Sequence, residues 1–422
     1  MNRLTTAWGE FGLTRFPEQP RDPLRAWDTA DEYLLRHLAG TGTDSGPAAG
    51  AGPTSGVGPA SGAEDGTQRG PVGRPVDLSG TVVVLGDRWG ALTTALAAHR
   101  LDQYSADPLV QITDSYLTQR ATRANLRRGG ADPGAVRLRS VRDTPPERID
   151  VLLVRVPKSL ALLEDQLHRL APAVHPGTVV IGTGRVTEIH TSTLKLFERI
   201  LGPTRTSLAE RKARLIFCVP APDRTPAPSP WPHSYALPEG LGAVSGRTVV
   251  NHAGIFCAER LDIGTRFLLR NLPHRNGPEH VVDLGCGNGV IGTAAALDNP
   301  AARVTFIDES FSALASAEAT FRKNVDAAAP AEFLLGDGLA ETPPGTVDLV
   351  LNNPPFHSHQ ATTDATAWRM FTGSRAALRP GGELWVVANR HLGYHIKLRR
   401  LFGNCETVTS DPKFVILRAV KR

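Results

Sequence analysis

Short apolar runs alternate with longer, mixed stretches along most of the chain. The runs HVVDL from His280, VTFID from Val304 and LVLNN from Leu349 each have the length of one strand, and a helical pattern follows each. Buried parallel strands read as near-continuous apolar runs, and helices connect them. The alternation therefore predicts an α/β fold with a parallel sheet.

The first half of the chain repeats the order of elements found in the second half. TVVVLGDRWGALTTAL, Thr81 to Leu96, gives a strand, a glycine turn and a helix, as does HVVDLGCGNGVIGTAAAL, His280 to Leu297. The strand VLLVRVPK, Val151 to Lys158, corresponds in the same way to LVLNNPPF, Leu349 to Phe356. We therefore predict two tandem Rossmann-like domains that arose by duplication.

Two stretches of biased composition divide the chain. Residues 40–73 are almost entirely Gly, Ala, Pro, Ser, Thr and Asp, which predicts a disordered insertion because so little apolar surface is available for burial. VPAPDRTPAPSPWP, Val219 to Pro232, contains six prolines and is typical of a linker. The predicted domains are 1–219 and 233–422, joined by a linker at 220–232.

Composition narrows the class of protein. The chain has 422 residues and a net charge of +5, which suits two domains and is compatible with a polyanionic partner. It shows no apolar leader and no stretch long enough to cross a membrane, so we expect a cytoplasmic protein. Four cysteines lie far apart without CxxC spacing, which favours reduced thiols over a metal site.

A glycine-rich turn after the strand at His280 carries the first chemical signal. Gly285, Gly287 and Gly289 permit positive φ and close approach of the backbone to a bulky ligand. Such turns also bind dinucleotides, but DLGCGNG has the acidic-x-Gly-x-Gly-x-Gly form associated with S-adenosylmethionine (SAM). Asp283 is then placed to meet the methionine amino group of SAM.

Further acidic residues follow the pattern of a SAM site. Asp308 ends the next strand and is predicted to accept hydrogen bonds from ribose hydroxyls, and Asp337 from the adenine amino group. For both, the alternative is a helix cap or a solvated loop. Asp262 and Gly264 precede the first strand and are expected to fold over SAM, although Asp262 could equally be a helix N-cap.

The sequence Asn353-Pro354-Pro355-Phe356 indicates the reaction. The lone pair of an exocyclic amine is delocalised into its ring, which makes the amine a poor nucleophile. The Asn353 side-chain oxygen and the Pro354 carbonyl are each predicted to accept an amine N–H and so localise that lone pair. Two prolines fix the turn, and Phe356 is placed to stack on the base. This chemistry requires no metal.

The first half lacks these features. Arg88 and Trp89 stand where the glycine turn needs small residues, and Val156-Pro157-Lys158 stands in place of the Asn-Pro-Pro-Phe sequence. We therefore expect that the N-terminal copy is degenerate and that the C-terminal copy is catalytic.

Taken together, these features resemble the ribosomal RNA guanine-N2 methyltransferases, which carry a degenerate copy before an active one. DLGCGNGVIG and NNPPFH match the family pattern residue by residue, and the resemblance covers nearly the whole chain outside 40–73 and the linker. Within that family the chain is most similar to the large-subunit (23S) type. The segments that suggest this are Asp22 to Leu35, Val156 to Leu167, Glu188 to Thr204, His391 to Cys405 and Lys413 to Arg422.

The resemblance implies a class I SAM-dependent fold, transfer of methyl from SAM to guanine N2 in ribosomal RNA, 23S rRNA above all, and an N-terminal copy that assists folding and RNA positioning. Tandem domains are compatible with a monomer. Two kinds of alternative stay open. One is a related methyltransferase acting on 16S rRNA, adenine or protein glutamine, and the other is an RNA-binding assembly factor without catalysis.

Overall fold

A computed structural model of the chain describes residues 3–18, 22–41, 73–103, 107–355 and 360–422. These residues form two compact units. One comprises Met1–Thr113, Thr118–Arg139 and Thr144–Pro228, and the other Asp114–Leu117, Ser140–Asp143 and Ser229–Arg422. Nearly all of the predicted insertion at 40–73 lies outside the described residues.

The first unit is built on a seven-stranded sheet with helices packed against it. In chain order, the elements before the proline-rich stretch are β1 (Arg3–Thr6), β2 (Gly9–Gly12), α1 (Thr29–Leu38), β3 (Val82–Leu85), α2 (Ala91–Asp102), β4 (Leu109–Thr113), α3 (Tyr116–Arg128), β5 (Val136–Ser140), β6 (Ile149–Arg155), α4 (Leu160–Leu170), β7 (Val174–Arg185), α5 (Thr191–Ile200), β8 (Thr204–Thr206) and β9 (Ala213–Cys218). The strand order in the sheet is β5-β4-β3-β6-β7-β9-β8.

The second unit is built on a sheet of the same size. Its elements are β10 (His233–Ala236), β11 (Thr248–Asn251), α6 (Ile263–Leu269), β12 (His280–Leu284), α7 (Val290–Asp298), β13 (Arg303–Asp308), α8 (Phe311–Asn324), β14 (Ala331–Leu335), β15 (Val347–Asn352), α9 (Gln360–Ala377), β16 (Leu378–Asn389), α10 (Tyr394–Phe402), β17 (Glu406–Ser410) and β18 (Phe414–Val420). Its strand order is β14-β13-β12-β15-β16-β18-β17.

The two sheets have the same topology, which confirms the prediction of tandem α/β folds. In each sheet the third and fourth positions are held by parallel neighbours, β3 with β6 and β12 with β15. The sixth strand of each sheet, β9 or β18, runs antiparallel to both of its neighbours. In register, Leu85 pairs with Val154 and Leu284 with Asn352. The strand ends of one unit can therefore be compared residue by residue with those of the other.

Apolar strands place the core on both faces of the central sheet. In β12, Val281, Val282 and Leu284 are almost fully buried, as a strand covered by helices on both sides requires. On one face Phe306 of β13 stacks on Phe333 of β14 at a ring distance of 4.9 Å. Full burial of each such side chain contributes roughly 1.5–3 kcal/mol, so the strand ends are held on a rigid base.

Candidate functional site

The glycine turn joins β12 to α7 at the carboxyl edge of the sheet. Gly285, Gly287 and Gly289 have φ of 71°, 53° and 72°, a region that other residues rarely adopt. At Gly289 a side chain is also excluded by packing, because a Cβ there would lie 2.7 Å from the Cβ of Ala317 in α8. The turn can therefore bring backbone N–H groups close to a ligand without side chains in the way.

Asp308 stands at the end of β13, next to this turn. Its Oδ2 accepts the Gly287 N–H at 3.0 Å, and its Oδ1 accepts the Ser310 N–H at 3.0 Å. Burial raises the pKa of this carboxyl. Since each carboxylate oxygen can accept a second hydrogen bond, Asp308 retains capacity for a ligand hydroxyl.

Asp283 lies in β12, two residues before Gly285, and is 1% exposed. Its Oδ2 accepts the Gly292 N–H at 2.8 Å, whereas its buried Oδ1 has no hydrogen-bond partner among the described residues. Burial raises its pKa to about 8, and the charge of Asp308 adds to the shift. A buried acceptor without a partner is costly, so this oxygen suits a cationic or N–H-bearing ligand group.

Two consecutive amides end β15 and have different partners. Asn352 is buried and donates from Nδ2 to the Leu284 carbonyl at 2.7 Å, which joins the ends of β15 and β12. Asn353 donates from Nδ2 to the Thr265 hydroxyl at 2.9 Å. Its Oδ1 is buried and has no partner in the described part of the chain. Asn353 thus keeps one strong acceptor unused.

Asp262 is the N-cap of α6. Its Oδ1 accepts the N–H groups of Gly264 and Thr265 at 2.7 and 3.1 Å, and its Oδ2 accepts the Thr265 hydroxyl. Gly264 packs under Phe414, which would lie 3.1 Å from an added Cβ. Both residues therefore have structural tasks in α6, consistent with the N-cap alternative for Asp262.

A cavity of about 570 Å³ opens at this edge of the sheet. Most predicted site residues line it, together with Thr265 and Arg369, whereas Asp283, Gly289, Asp262 and Gly264 are not in its wall. Phe356 lies outside the described residues. The predicted residues that line the cavity are Gly285, Gly287, Asp308, Asp337, Asn353, Pro354 and Pro355.

Three side chains at this edge were not predicted from the sequence: Thr265, Asn352 and Arg369. Arg369 of α9 forms an ion pair with Asp337 at 3.5 Å. Thr265 follows Asp262 by three residues, and that spacing, typical of a helix cap, was its one sequence signal. Asn352 precedes the recognised motif directly, but nothing in the sequence indicates its bond to Leu284.

The corresponding edge of the first unit is filled with charged side chains. By strand register Arg155, not Val156, stands at the position of Asn353, which corrects the sequence comparison by one residue. The Arg155 side chain is fully buried and lies 2.7 Å from Asp28, 3.2 Å from Asp31 and 2.9 Å from Glu188. Arg88 reaches Glu188 at 2.6 Å. We call these five residues the ion-pair cluster.

Other classes of site find no support in the described residues. No group of His, Cys, Asp and Glu in the described ranges is arranged to hold a metal ion. Within the same ranges, no helix has the length and hydropathy needed to cross a membrane. Cys286 lines the cavity, but burial raises its pKa well above the ordinary value, so it is a poor nucleophile.

Two protein families match the chain. Residues 246–418 match the methyltransferase small domain, and residues 1–49 and 73–222 match the RLMG N-terminal domain. The chain is 66% identical to the ribosomal RNA large subunit methyltransferase G of Streptomyces avermitilis, over 99% of both chains. It is 43% identical to the protein of that name from Aeromonas salmonicida, again over 99% of both.

A solved structure shares the fold over the full length. The T. Thermophilus 16S rRNA N2 methyltransferase RsmC, in complex with AdoMet and guanosine, superposes with a TM-score of 0.69. The alignment covers 100% of this chain and 98% of that one at 20% sequence identity. At this identity the likeness establishes the tandem fold, and chemistry has to be argued from the residues themselves.

Proposed function

Since the chain belongs to the ribosomal RNA large subunit methyltransferase G family, we propose that it transfers the methyl group of SAM to the exocyclic N2 amine of a guanine in 23S rRNA. The observation that carries the proposal is the unused Oδ1 of Asn353, buried at the end of β15 beside the glycine turn. An acceptor of this kind suits an incoming N–H. In the solved relative of the same fold, the ligands are AdoMet and guanosine.

Residues in the cavity wall, and Asp283 buried behind it, have acceptor oxygens that suit SAM. Asp283 offers its unpartnered Oδ1 to the amino group of the methionine part, and Asp308 offers its remaining acceptor capacity to ribose hydroxyls. Asp337 at the cavity wall is proposed for the adenine amino group. Gly285 and Gly287 leave room for the ligand. Asp262 and Gly264 are engaged within α6, so we do not include them in the cofactor site.

SAM supplies an electrophilic methyl group on a sulfonium, and the protein's task is to prepare the amine. Asn353 Oδ1 and the Pro354 carbonyl each accept one N–H of the target amine. This holds the nitrogen with its lone pair directed out of the base plane and stabilises the positive charge that develops there. As the N–C bond forms and the C–S bond breaks, the amine gives up one proton to solvent.

The test is transfer of labelled methyl from SAM to unmodified RNA. We would compare protein-free large-subunit rRNA, protein-free small-subunit rRNA and each assembled subunit. Asn353→Ala is expected to lower turnover by about 100- to 1,000-fold, since one preorganised acceptor is lost, and to leave the SAM Kd within about twofold. Asn271→Ala, an amide whose Nδ2 bonds the Phe267 carbonyl at the end of α6, is the matched control and should be fully active.

Each outcome decides one part of the proposal. Label recovered as N2-methylguanosine in large-subunit RNA supports both reaction and target. Label only in small-subunit RNA keeps the reaction and rejects the target. SAM binding without label in any RNA rejects methylation of rRNA and favours a DNA base, such as adenine, or a protein glutamine as the substrate. No SAM binding at all leaves a non-catalytic RNA-binding protein.

A further inference from the structure

A directed chain of hydrogen bonds links α6 to the end of β15. Asn353 donates from Nδ2 to Thr265 Oγ1 at 2.9 Å, and Thr265 donates its hydroxyl proton to Asp262 Oδ2. Thr265 is 6% exposed, so these bonds are protected from water. The link joins residues 88 positions apart in sequence.

The direction of this chain is fixed at its Asp262 end. An ionised carboxylate can only accept hydrogen bonds, so the Thr265 hydroxyl has to donate to it. A hydroxyl has a single proton, and Thr265 Oγ1 therefore faces Asn353 as an acceptor. Only the NH₂ side of the Asn353 amide can satisfy that acceptor. The carbonyl side is then turned away from Thr265 and is left as the unpartnered Oδ1.

We infer that Thr265, supported by Asp262, is a positioning residue that keeps the Asn353 amide in its acceptor orientation. This rests on the proposed function, in which Oδ1 receives the target N–H. An asparagine side chain has nearly the same shape when rotated by 180°, so packing alone distinguishes its two orientations poorly. In the rotated orientation an NH₂ group would meet the target amine, donor against donor. The series of hydrogen bonds from Asp262 through Thr265 excludes that orientation and polarises the carbonyl oxygen of the Asn353 side chain.

Asp262 also caps α6, and the test has to distinguish this role from its bond to Thr265. As N-cap it also stabilises α6 through its Oδ1. Asn caps helices about as well as Asp, so Asp262→Asn preserves the cap while adding an NH₂ group that can face Thr265. The Thr265 proton then becomes free to point at Asn353, and both amide orientations become possible. Helix stability and amide direction are thereby varied independently.

The experiment compares three variants of the full chain. Thr265→Val keeps the side-chain shape but removes the hydroxyl that accepts from Asn353 and donates to Asp262. We expect kcat to fall about 10- to 100-fold and the SAM Kd to stay close to that of the wild type. A modest fall in Tm is expected because two buried polar groups lose their partner. Thr265→Ser restores the hydroxyl and should recover kcat to within about threefold. Asp262→Asn should lower kcat as Thr265→Val does, without loss of Tm.

A second readout does not depend on turnover. In protein labelled with ¹⁵N at asparagine amides, the signals of the Asn353 side chain are identified by their absence from Asn353→Ala. Because these protons are bonded to a buried hydroxyl, they should exchange slowly with solvent in the wild type and in Thr265→Ser, and rapidly in Thr265→Val.

The outcomes separate the two proposals. If the wild type methylates no RNA, the proposed function fails, and the NMR arm alone decides on the hydrogen-bond chain. A Thr265→Val enzyme with kcat within twofold of the wild type overturns the inference, as does a Thr265→Ser enzyme that is equally impaired. Asn353 amide exchange that is the same in all variants also overturns it.

Discussion

Both units place acidic side chains near the carboxyl ends of their central strands, but the two units differ in whether arginines lie beside those acids. In the first unit Arg155 and Arg88 lie within ion-pair distance of Asp28 and Glu188. In the second unit Asp283 and Asp308 form no ion pair with any described residue, and burial raises the pKa of both. Arginines thus pair with Asp28 and Glu188 in one copy, whereas Asp283 and Asp308 of the other copy have no cation beside them among the described residues.

The pKa values of Glu188 and Asp283 illustrate this difference, while Asp31, the most deeply buried acid of the ion-pair cluster, has its pKa raised to about 7 by burial. Burial alone would raise the pKa of Glu188, but the charge of Arg155, the Arg185 N–H and Arg88 outweigh it and lower that pKa to about 2. In the second unit no cation opposes the burial of Asp283, and its pKa rises to about 8. Buried polar groups that the fold leaves without partners suit a ligand, whereas groups that are paired within the fold need none.

The largest expected effect is the loss of Arg155. Arg155→Met leaves three buried or half-buried acids, Asp28, Asp31 and Glu188, without their shared cation, and should destabilise the first unit by about 3–5 kcal/mol. Hydrogen exchange on peptides covering β3 and β6 measures the change. Arg148→Met is the matched control. This arginine is 65% exposed and pairs with Asp150, so its loss should cost less than about 1 kcal/mol. Equal effects of both variants would show that the first unit does not depend on the ion-pair cluster for its stability.

A smaller effect is expected from Asp283→Asn, and it depends on pH. The pKa of Asp283 is about 8 in the folded protein, against 3.8 for an aspartate exposed to water. The folded state therefore binds the proton more tightly, and wild-type stability falls as pH rises from about 4 to 8. Asparagine carries no proton to lose, so the variant's advantage in Tm, measured without SAM, should grow between pH 5 and pH 8. A difference that stays constant with pH would contradict the buried-acid interpretation.

The smallest effect is an expected absence of change. Replacing Arg88 by Gly and Trp89 by Asn gives the first unit the small loop residues of the second, but leaves Arg155 in place of the acceptor amide. Calorimetry should give one SAM bound per chain in the wild type and in the double variant. A stoichiometry of two in either protein would show that the first unit still holds a usable site.

Much of the fold could be predicted from the sequence because the relevant signals are local. Apolar runs such as Val281 to Leu284 reveal buried parallel strands, and the glycine spacing that follows them reveals the turn. Asn353-Pro354 was recognisable for the same reason, since its residues are contiguous. The family comparisons agree with the resemblance drawn from these motifs.

What could not be predicted depends on contacts between distant positions. The bond between Asn353 and Thr265 spans 88 residues, and that between Arg155 and Asp28 spans 127. Arg155 was also misaligned by one residue, because the prolines at 157 and 354 suggested a register that the strand pairing does not follow. Sequence motifs gave the identity of candidate groups, and strand register was needed to give their partners.

The bond between Asn352 and the Leu284 carbonyl restricts where residues can be inserted into the chain. It joins the two strand ends that carry the glycine turn and the acceptor amide, although 68 positions separate them in the chain. A one-residue slip of either strand would turn that strand's side chains to the opposite face and move its end out of register with the other. Insertions are therefore tolerable in the connections after α7 and α8, where chain length does not alter the pairing, and damaging within either strand.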